Sequence, residues 1–230
     1  MSDNFFKFPS TPHLLITNDQ QIRADKVMTA AERQSFLQQE LVVEEKIDGA
    51  NLGLSFNKQG ELQAQNRGSY LQLPANGQWK PLLAWIKKHT DTLFEELLDR
   101  YILFGEWCYA QHTVAYTALP DWFIGFDIYD KQQQCFLSTK KRDKKFDSMN
   151  ISKVPLLGTG RFTLEALNRL LSEASAFGSE QREGIYLRQD NPDCLLKRAK
   201  LVRPAFIQAD EQHWSKRLLQ TNRIALDTVF

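Results

Sequence analysis

Several absences narrow the 230-residue sequence before any motif is considered. No apolar run is long enough to span a membrane, and there is no low-complexity tract or internal repeat. Membrane-spanning helices and repeat arrays are thereby set aside. A Gly-rich phosphate loop is missing, as is regular strand–helix alternation, so neither a P-loop NTPase nor a dinucleotide-binding domain is indicated. Cysteine is scarce: Cys108, Cys135 and Cys194 are odd in number and widely spaced. They suggest neither a zinc site nor a disulfide framework, which fits a reducing compartment. Residues 1–9 lack a signal-peptide core, and a cytoplasmic location is the expectation. Excess charge is missing too, at a net +1. A nucleic-acid partner would have to be held by local patches: Lys140-Lys141-Arg142, Lys144-Lys145, residues 197–203, or Lys216-Arg217. Each patch alone also reads as a solvated face.

The stretch Glu44-Glu45-Lys46-Ile47-Asp48-Gly49-Ala50-Asn51 stands out. Val42 and Val43 lead in, and Leu52, Leu54 and Phe56 alternate on the way out, as in a half-buried strand. Lys46 is expected at a strand end, in a turn leading to the next strand. A lysine there can be a surface charge, a phosphate clamp or a nucleophile. Lys-x-Asp-Gly occurs by accident in roughly one chain of this length in twenty, so the motif needs support from downstream residues.

Around it, Thr29 and Glu32 fit a capping box opening a helix to about residue 41. Residues 57–60 read as a hairpin turn, followed by a strand carrying Gln63, Gln65 and Arg67. Helices are expected over 81–89 and 91–100, with Asp91 as an N-cap and Trp79, Leu82, Trp85 and Ile86 as the buried stripe. Apolar strands follow at 101–107 and 122–129. Residues 146–162 look loop-rich. Thr163 caps a helix, 182–187 and 195–202 read as strands, and 206–226 as a C-terminal helix carrying Trp214, Lys216, Arg217, Leu218 and Leu219. Hairpin strands with inserted helices predict an α+β domain of antiparallel β-sheets.

Ionisable residues sit where apolar strands predict burial: Glu106, Asp127, Glu183, Lys197 and Lys200. Buried charge is costly unless paired or placed in a functional cleft. Each alone reads as a salt bridge; with Lys46 they form a set able to converge on one cleft.

In order, Lys46-Ile47-Asp48-Gly49, Gly105-Glu106, Phe123-Ile124-Gly125-Phe126-Asp127-Ile128, Glu183-Gly184-Ile185 and Lys197-Arg198-Ala199-Lys200 resemble the five motifs of the covalent nucleotidyltransferases. That superfamily holds DNA ligases, RNA ligases and mRNA-capping enzymes. Thr11-Pro12-His13-Leu14, Gly105-Glu106-Trp107-Cys108-Tyr109 and Leu201-Val202-Arg203-Pro204 look most like ATP-dependent RNA ligases. The resemblance implies a nucleotidyltransferase (ATP-grasp-like) fold of antiparallel sheets flanked by helices; the roughly thirty residues after the Lys200 strand are expected to be too few for an OB-fold domain. The whole chain, 1–230, would be one adenylyltransferase domain with 205–230 as a helical extension. It also implies ATP with Mg²⁺ or Mn²⁺, and nucleic-acid ends or nicks as substrate, RNA ahead of DNA, with no obligate protein partner.

The resemblance carries roles by position. Lys46 would attack the α-phosphorus of ATP to give lysyl-AMP, which passes to a 5′-phosphate before a 3′-hydroxyl seals the strand. Asp48 would orient Lys46 or assist at the metal. Glu106 would hold the ribose hydroxyls, Phe126 would stack on adenine with Phe123 as the fallback, and Arg67 would contact sugar or phosphate. Glu44 is placed with the nucleotide. Glu183 and Asp127 would serve the metal. Beside the α-phosphate, Arg198 and Lys200 fit the family spacing, while Lys197 and Lys200 fit the lysine identity. The alternatives are a minimal DNA-nick ligase and a non-catalytic nucleic-acid-end binder.

Overall fold

A computed structural model of the chain describes residues 5–16, 26–204 and 219–226. It is α+β, with two antiparallel sheets whose outer faces carry the helices. The first sheet has the order β7-β1-β8-β9, built from β1 (Leu41–Lys46), β7 (Leu156–Gly160), β8 (Gly184–Asp190) and β9 (Leu195–Val202). The second has the order β3-β2-β4-β5-β6, built from β2 (Ala50–Phe56), β3 (Leu62–Gln65), β4 (Tyr101–Trp107), β5 (Phe123–Asp130) and β6 (Cys135–Phe136).

Period-two burial decides what each face does. On the first sheet Leu41, Val43, Ile185, Leu187, Ala199 and Leu201 point outward into one core with Leu167 and Leu171. That core is closed by α1 (Ala30–Leu37) and α4 (Leu164–Ser172). The second sheet packs Leu52, Leu54, Leu103 and Phe123 against Leu82, Trp85, Ile86, Leu93 and Leu97 of α2 (Leu82–Leu97). The alternate residues of both sheets are left to face each other, and most of the ionisable residues singled out above are among them.

The Thr29–Glu32 capping box is present at α1 and Thr163 caps α4. The turn at 57–60 closes on Gly60 at φ 76°, where glycine carries no steric penalty. Several expectations are corrected. The strands flanking Lys46 do not pair: β1 and β2 belong to different sheets, and residues 47–49 carry the chain across. Asp91 caps nothing, because α2 runs through it without a break. Trp79 lies before that helix, in a short 3-10 turn, Gly77–Trp79. The supposed loop holds strand β7, and the basic run at 140–145 is a helix, α3 (Thr139–Ser148), whose Arg142 is buried. Most of the expected C-terminal helix, with Trp214, Lys216, Arg217 and Leu218, lies outside the described residues, but 219–226 are not helical. They cross the 108–119 loop through bridges Ala110↔Thr221 and Leu119↔Ile224. Buried Asn222 donates to Cys108 O (2.8 Å) and Ala110 O (3.2 Å) and accepts from Tyr116 N–H (2.9 Å). A disulfide joins Cys135 and Cys194, against the expectation of none. No described helix is long and apolar enough to cross a membrane.

Candidate active site

Between the sheets lies a cleft of about 810 Å³. Its lining includes Lys46, Glu183, Tyr186 and Lys200 from the first sheet or its ends, and Asn51, Glu106 and Phe126 from the second, with Arg67 just past β3.

Strand register brings distant residues together. Lys46 pairs with Gly184 across β1 and β8, which puts Glu183 beside it. The Lys46 ammonium donates to both Glu183 oxygens, at 2.7 and 2.6 Å. Burial works to lower the Lys46 pKa, but Glu183, Glu106 and Asp48 together hold it above the ordinary lysine value. Burial pushes Glu183 up to about 7 despite the ammonium. It pushes Glu106 up to about 8, against the pull of Lys46 and Arg67. Asn51 and Glu106 are register partners on β2 and β4. Asn51 Oδ1 and Glu106 Oε2 are buried without a hydrogen-bond partner, as is Nδ1 of His13 in the cleft wall. Buried polar atoms left unpaired are costly, and three in one cleft mark a place where a polar ligand completes the bonding.

Gly49 lets the crossing segment lie flat on the second sheet: a Cβ there would meet Cys108 Sγ and Trp107 O at 3.0 Å. Asp48 lines the cleft and is also held from the loop beyond it. Its Oδ2 accepts from the N–H groups of Thr113 (2.7 Å) and Val114 (2.9 Å), and its own N–H donates to the Tyr116 hydroxyl at 2.7 Å. Asp48 therefore anchors the loop after β4, while its charge still reaches Lys46.

Of the three basic residues on β9, Lys200 lines the cleft. Lys197 is exposed, and alternation puts it on the opposite face. Arg198 shares the face of Lys200, but its guanidinium lies over the rings of Phe8 (4.6 Å) and Phe136 (4.7 Å) and it does not line the cleft. Phe126 lines the cleft, whereas Phe123 is buried against Trp85 at 5.2 Å.

Two expected site carboxylates are engaged inside the protein. Glu44 borders the cleft but is buried in an ion pair with Arg142, which also donates to Phe126 O at 2.8 Å. That arginine thus fixes the backbone of the cleft phenylalanine. Asp127, expected at the metal, is 0% exposed and outside the cleft. Its Oδ1 accepts from the equally buried Arg188 at 2.6 Å, and Arg198 stands 3.5 Å from Oδ2. Sequence reasoning missed Asn51, Tyr186, Arg142 and any role for His13. Asn51 lies two residues past Gly49 of the Lys46 motif, and Tyr186 follows from alternation out of Gly184; Arg142 gave no signal.

Among the described residues, no group of three or more His, Cys, Asp or Glu gathers to hold a metal ion. Glu183, bonded to Lys46 in the cleft, suits a hard cation that takes one carboxylate and fills its shell with phosphate oxygens and water.

A family model described as RNA ligase matches residues 39–202. Among solved structures, a mutant of Naegleria gruberi RNA ligase with ATP and Mn superposes with a TM-score of 0.61 at 19% identity, over 88% of this chain and 59% of that one. The same ligase with pyrophosphate gives 0.60 at 18%, over 93% and 64%. Another mutant with ATP and Mn gives 0.60 at 18%, over 89% and 60%. The chain thus spans about three-fifths of the length of these ligases, and the likeness is one of fold. No curated protein matches the sequence.

Proposed function

Because the chain belongs to the RNA ligase family, we propose that it is an ATP-dependent RNA ligase acting through a covalent lysyl-AMP at Lys46. The observation that carries the reading is the Lys46 amine, held on the Glu183 carboxylate in a cleft with unpaired buried polar atoms.

Lys46 Nζ would attack the α-phosphorus of ATP, releasing pyrophosphate. As found, the amine is charged and has no lone pair to offer. A divalent metal ion held by Glu183 and phosphate oxygens would supply positive charge at the α-phosphate. With Glu183 so engaged, Lys46 loses the partner that keeps it protonated. Lys200 would neutralise the α-phosphate in the transition state. Glu106 and Asn51 would take the ribose hydroxyls; a protonated Glu106 both donates and accepts. Phe126 would stack on adenine, and Arg67 would meet sugar or phosphate. AMP would then pass to a 5′-phosphate, and a 3′-hydroxyl would displace it. In this reading residues 1–230 form one adenylyltransferase domain, acting in the cytoplasm, and the task is the sealing of broken RNA.

The test is intact mass after incubation with ATP and Mg²⁺. Wild type gains one AMP and Lys46→Ala does not. Folded, unadenylated protein that gains no adduct with ATP and either Mg²⁺ or Mn²⁺ refutes the reading and leaves an end-binding protein. An adduct followed by sealing of nicked DNA in preference to RNA overturns the substrate assignment alone.

A further inference from the structure

His13 and Lys26, in the corner of the cleft beside Lys200, have no role in the steps above. His13, Lys26 and Lys200 line it. Backbone bonds bring them together: His13 N–H donates to Lys26 O (2.7 Å), Met28 N–H to His13 O (2.9 Å), Leu14 N–H to Lys200 O (2.7 Å) and Lys200 N–H to Pro12 O (2.9 Å). His13 is thereby bridged in parallel to Lys200 on one side and Val27 on the other. The residue is 8% exposed, and its Nδ1 is buried without a partner. Burial first, then the ammonium groups of Lys200, Lys46 and Lys26, push its pKa down to about 4. The ring is therefore neutral at working pH, with a nitrogen unmatched among three cations. Such a corner suits a multiply charged anion.

The charged groups also have an order. Glu106 lies within electrostatic reach of Lys46, Glu183, Arg67 and Asp48. Glu183 reaches Lys46, Asp48 and Lys200, and His13 reaches Lys200, Lys46 and Lys26. An ATP with its ribose at Glu106 and its α-phosphate between Lys46 and Lys200 would have His13 and Lys26, which line the same cleft, within reach of its outer phosphates. We propose that His13 and Lys26, beside Lys200, hold the β- and γ-phosphates of ATP and then the departing pyrophosphate. As the Lys46 Nζ–Pα bond forms, the bond from Pα to the bridging oxygen breaks. Its electron pair leaves with the pyrophosphate, and the amine proton passes to solvent. Charge gathers on the leaving group, where a fixed cation and an imidazole N–H stabilise it most.

This inference rests on the lysyl-AMP reading, and its test separates the two. His13→Ala, His13→Asn and Lys26→Ala are compared with wild type in three reactions of the full chain. These are lysyl-AMP formation against ATP concentration, reversal of lysyl-AMP by pyrophosphate, and sealing of a 5′-adenylated RNA that needs neither. Expected for the alanine variants is a rise of about tenfold or more in the ATP and pyrophosphate concentrations required, as for loss of a bond to a charged group. The effect on sealing is much smaller, and His13→Asn, which keeps a donor, recovers part of the loss. Unchanged ATP and pyrophosphate dependence overturns the proposal. So does an equal loss in sealing, which would give the corner to the RNA phosphate. A wild type that forms no adduct refutes the parent reading instead. Pyrophosphate titrated calorimetrically into wild type and His13→Ala then decides the corner: weaker binding in the variant supports it, and equal or absent binding overturns it.

Discussion

Replacing Arg188 by Met tests whether the Asp127 carboxylate is structural or belongs to a metal site. Arg188 and Asp127 are both 0% exposed and meet at 2.6 Å. The guanidinium also donates to Leu137 O at 2.9 Å. Removing one partner of such a pair strands a buried charge, at a cost of about 3–5 kcal/mol. Arg198 remains, but at 3.5 Å from Asp127 and stacked on two rings it compensates only in part. The lower end of the range, about 3 kcal/mol, is the expectation. At about 2–4 °C per kcal/mol for a domain of this size, Tm falls by about 6–12 °C. Thermal unfolding followed by circular dichroism in EDTA reads this directly. Asp127→Asn should fall in the same direction, and Asp127→Leu combined with Arg188→Met should recover much of the loss, because an apolar pair strands no charge. Wild-type Tm in EDTA for both single variants, with a raised Mn²⁺ requirement for lysyl-AMP formation in Asp127→Asn, would refute the reasoning and return Asp127 to the metal.

Burial holds Glu106 up to about 8 from its ordinary 4.5. The folded state therefore binds a proton that the unfolded state has lost, and this stabilisation, full below 4.5, disappears as pH rises through 8. Glu106→Gln, which cannot ionise, should gain in Tm relative to wild type between pH 5 and pH 9; parallel curves would contradict this. Gly105→Ala would set a Cβ 2.4 Å from the Phe123 ring and 2.6 Å from Ile124 O. Overpacking against backbone should destabilise by about 1–3 kcal/mol or more, seen as a lower urea midpoint at unchanged slope. Asn222→Ala leaves two carbonyls and one N–H of the 108–116 loop unpaired. It should cost about 1–3 kcal/mol, with hydrogen exchange accelerated first at residues 109–116; uniform acceleration across the chain would argue against a local role.

Local signals in the sequence were the readable ones. The capping box at Thr29, the turn at 57–60 and the bounds of β9 depend on neighbours within a few residues, and all are present. Lys46, Arg67, Glu106, Phe126, Glu183 and Lys200 do share one cleft. What escaped depends on partners far along the chain. Arg142 looked like one more solvated cation because Glu44, 98 residues away, is invisible to local pattern. Asp127 looked like a site carboxylate because Arg188, 61 residues on, gives no sign of being buried. The apolar alternation around Lys46 announced two strands but not that they belong to two sheets, since a pattern of two fits any sheet.

Three links join the sheets through the β5–β6 side of the second one. Arg142 spans Glu44 and the Phe126 carbonyl, Arg188 spans to Asp127 and Leu137, and Cys194 is bonded to Cys135. The main chain itself crosses at residues 47–49. Two of the links are guanidinium groups, planar struts of fixed length that engage both ends at once. The gap between Lys46 on one wall and Glu106 on the other is therefore set like the opening of a gauge. Neither guanidinium lines the cleft, so the parts that hold the two walls apart stand outside the space they define.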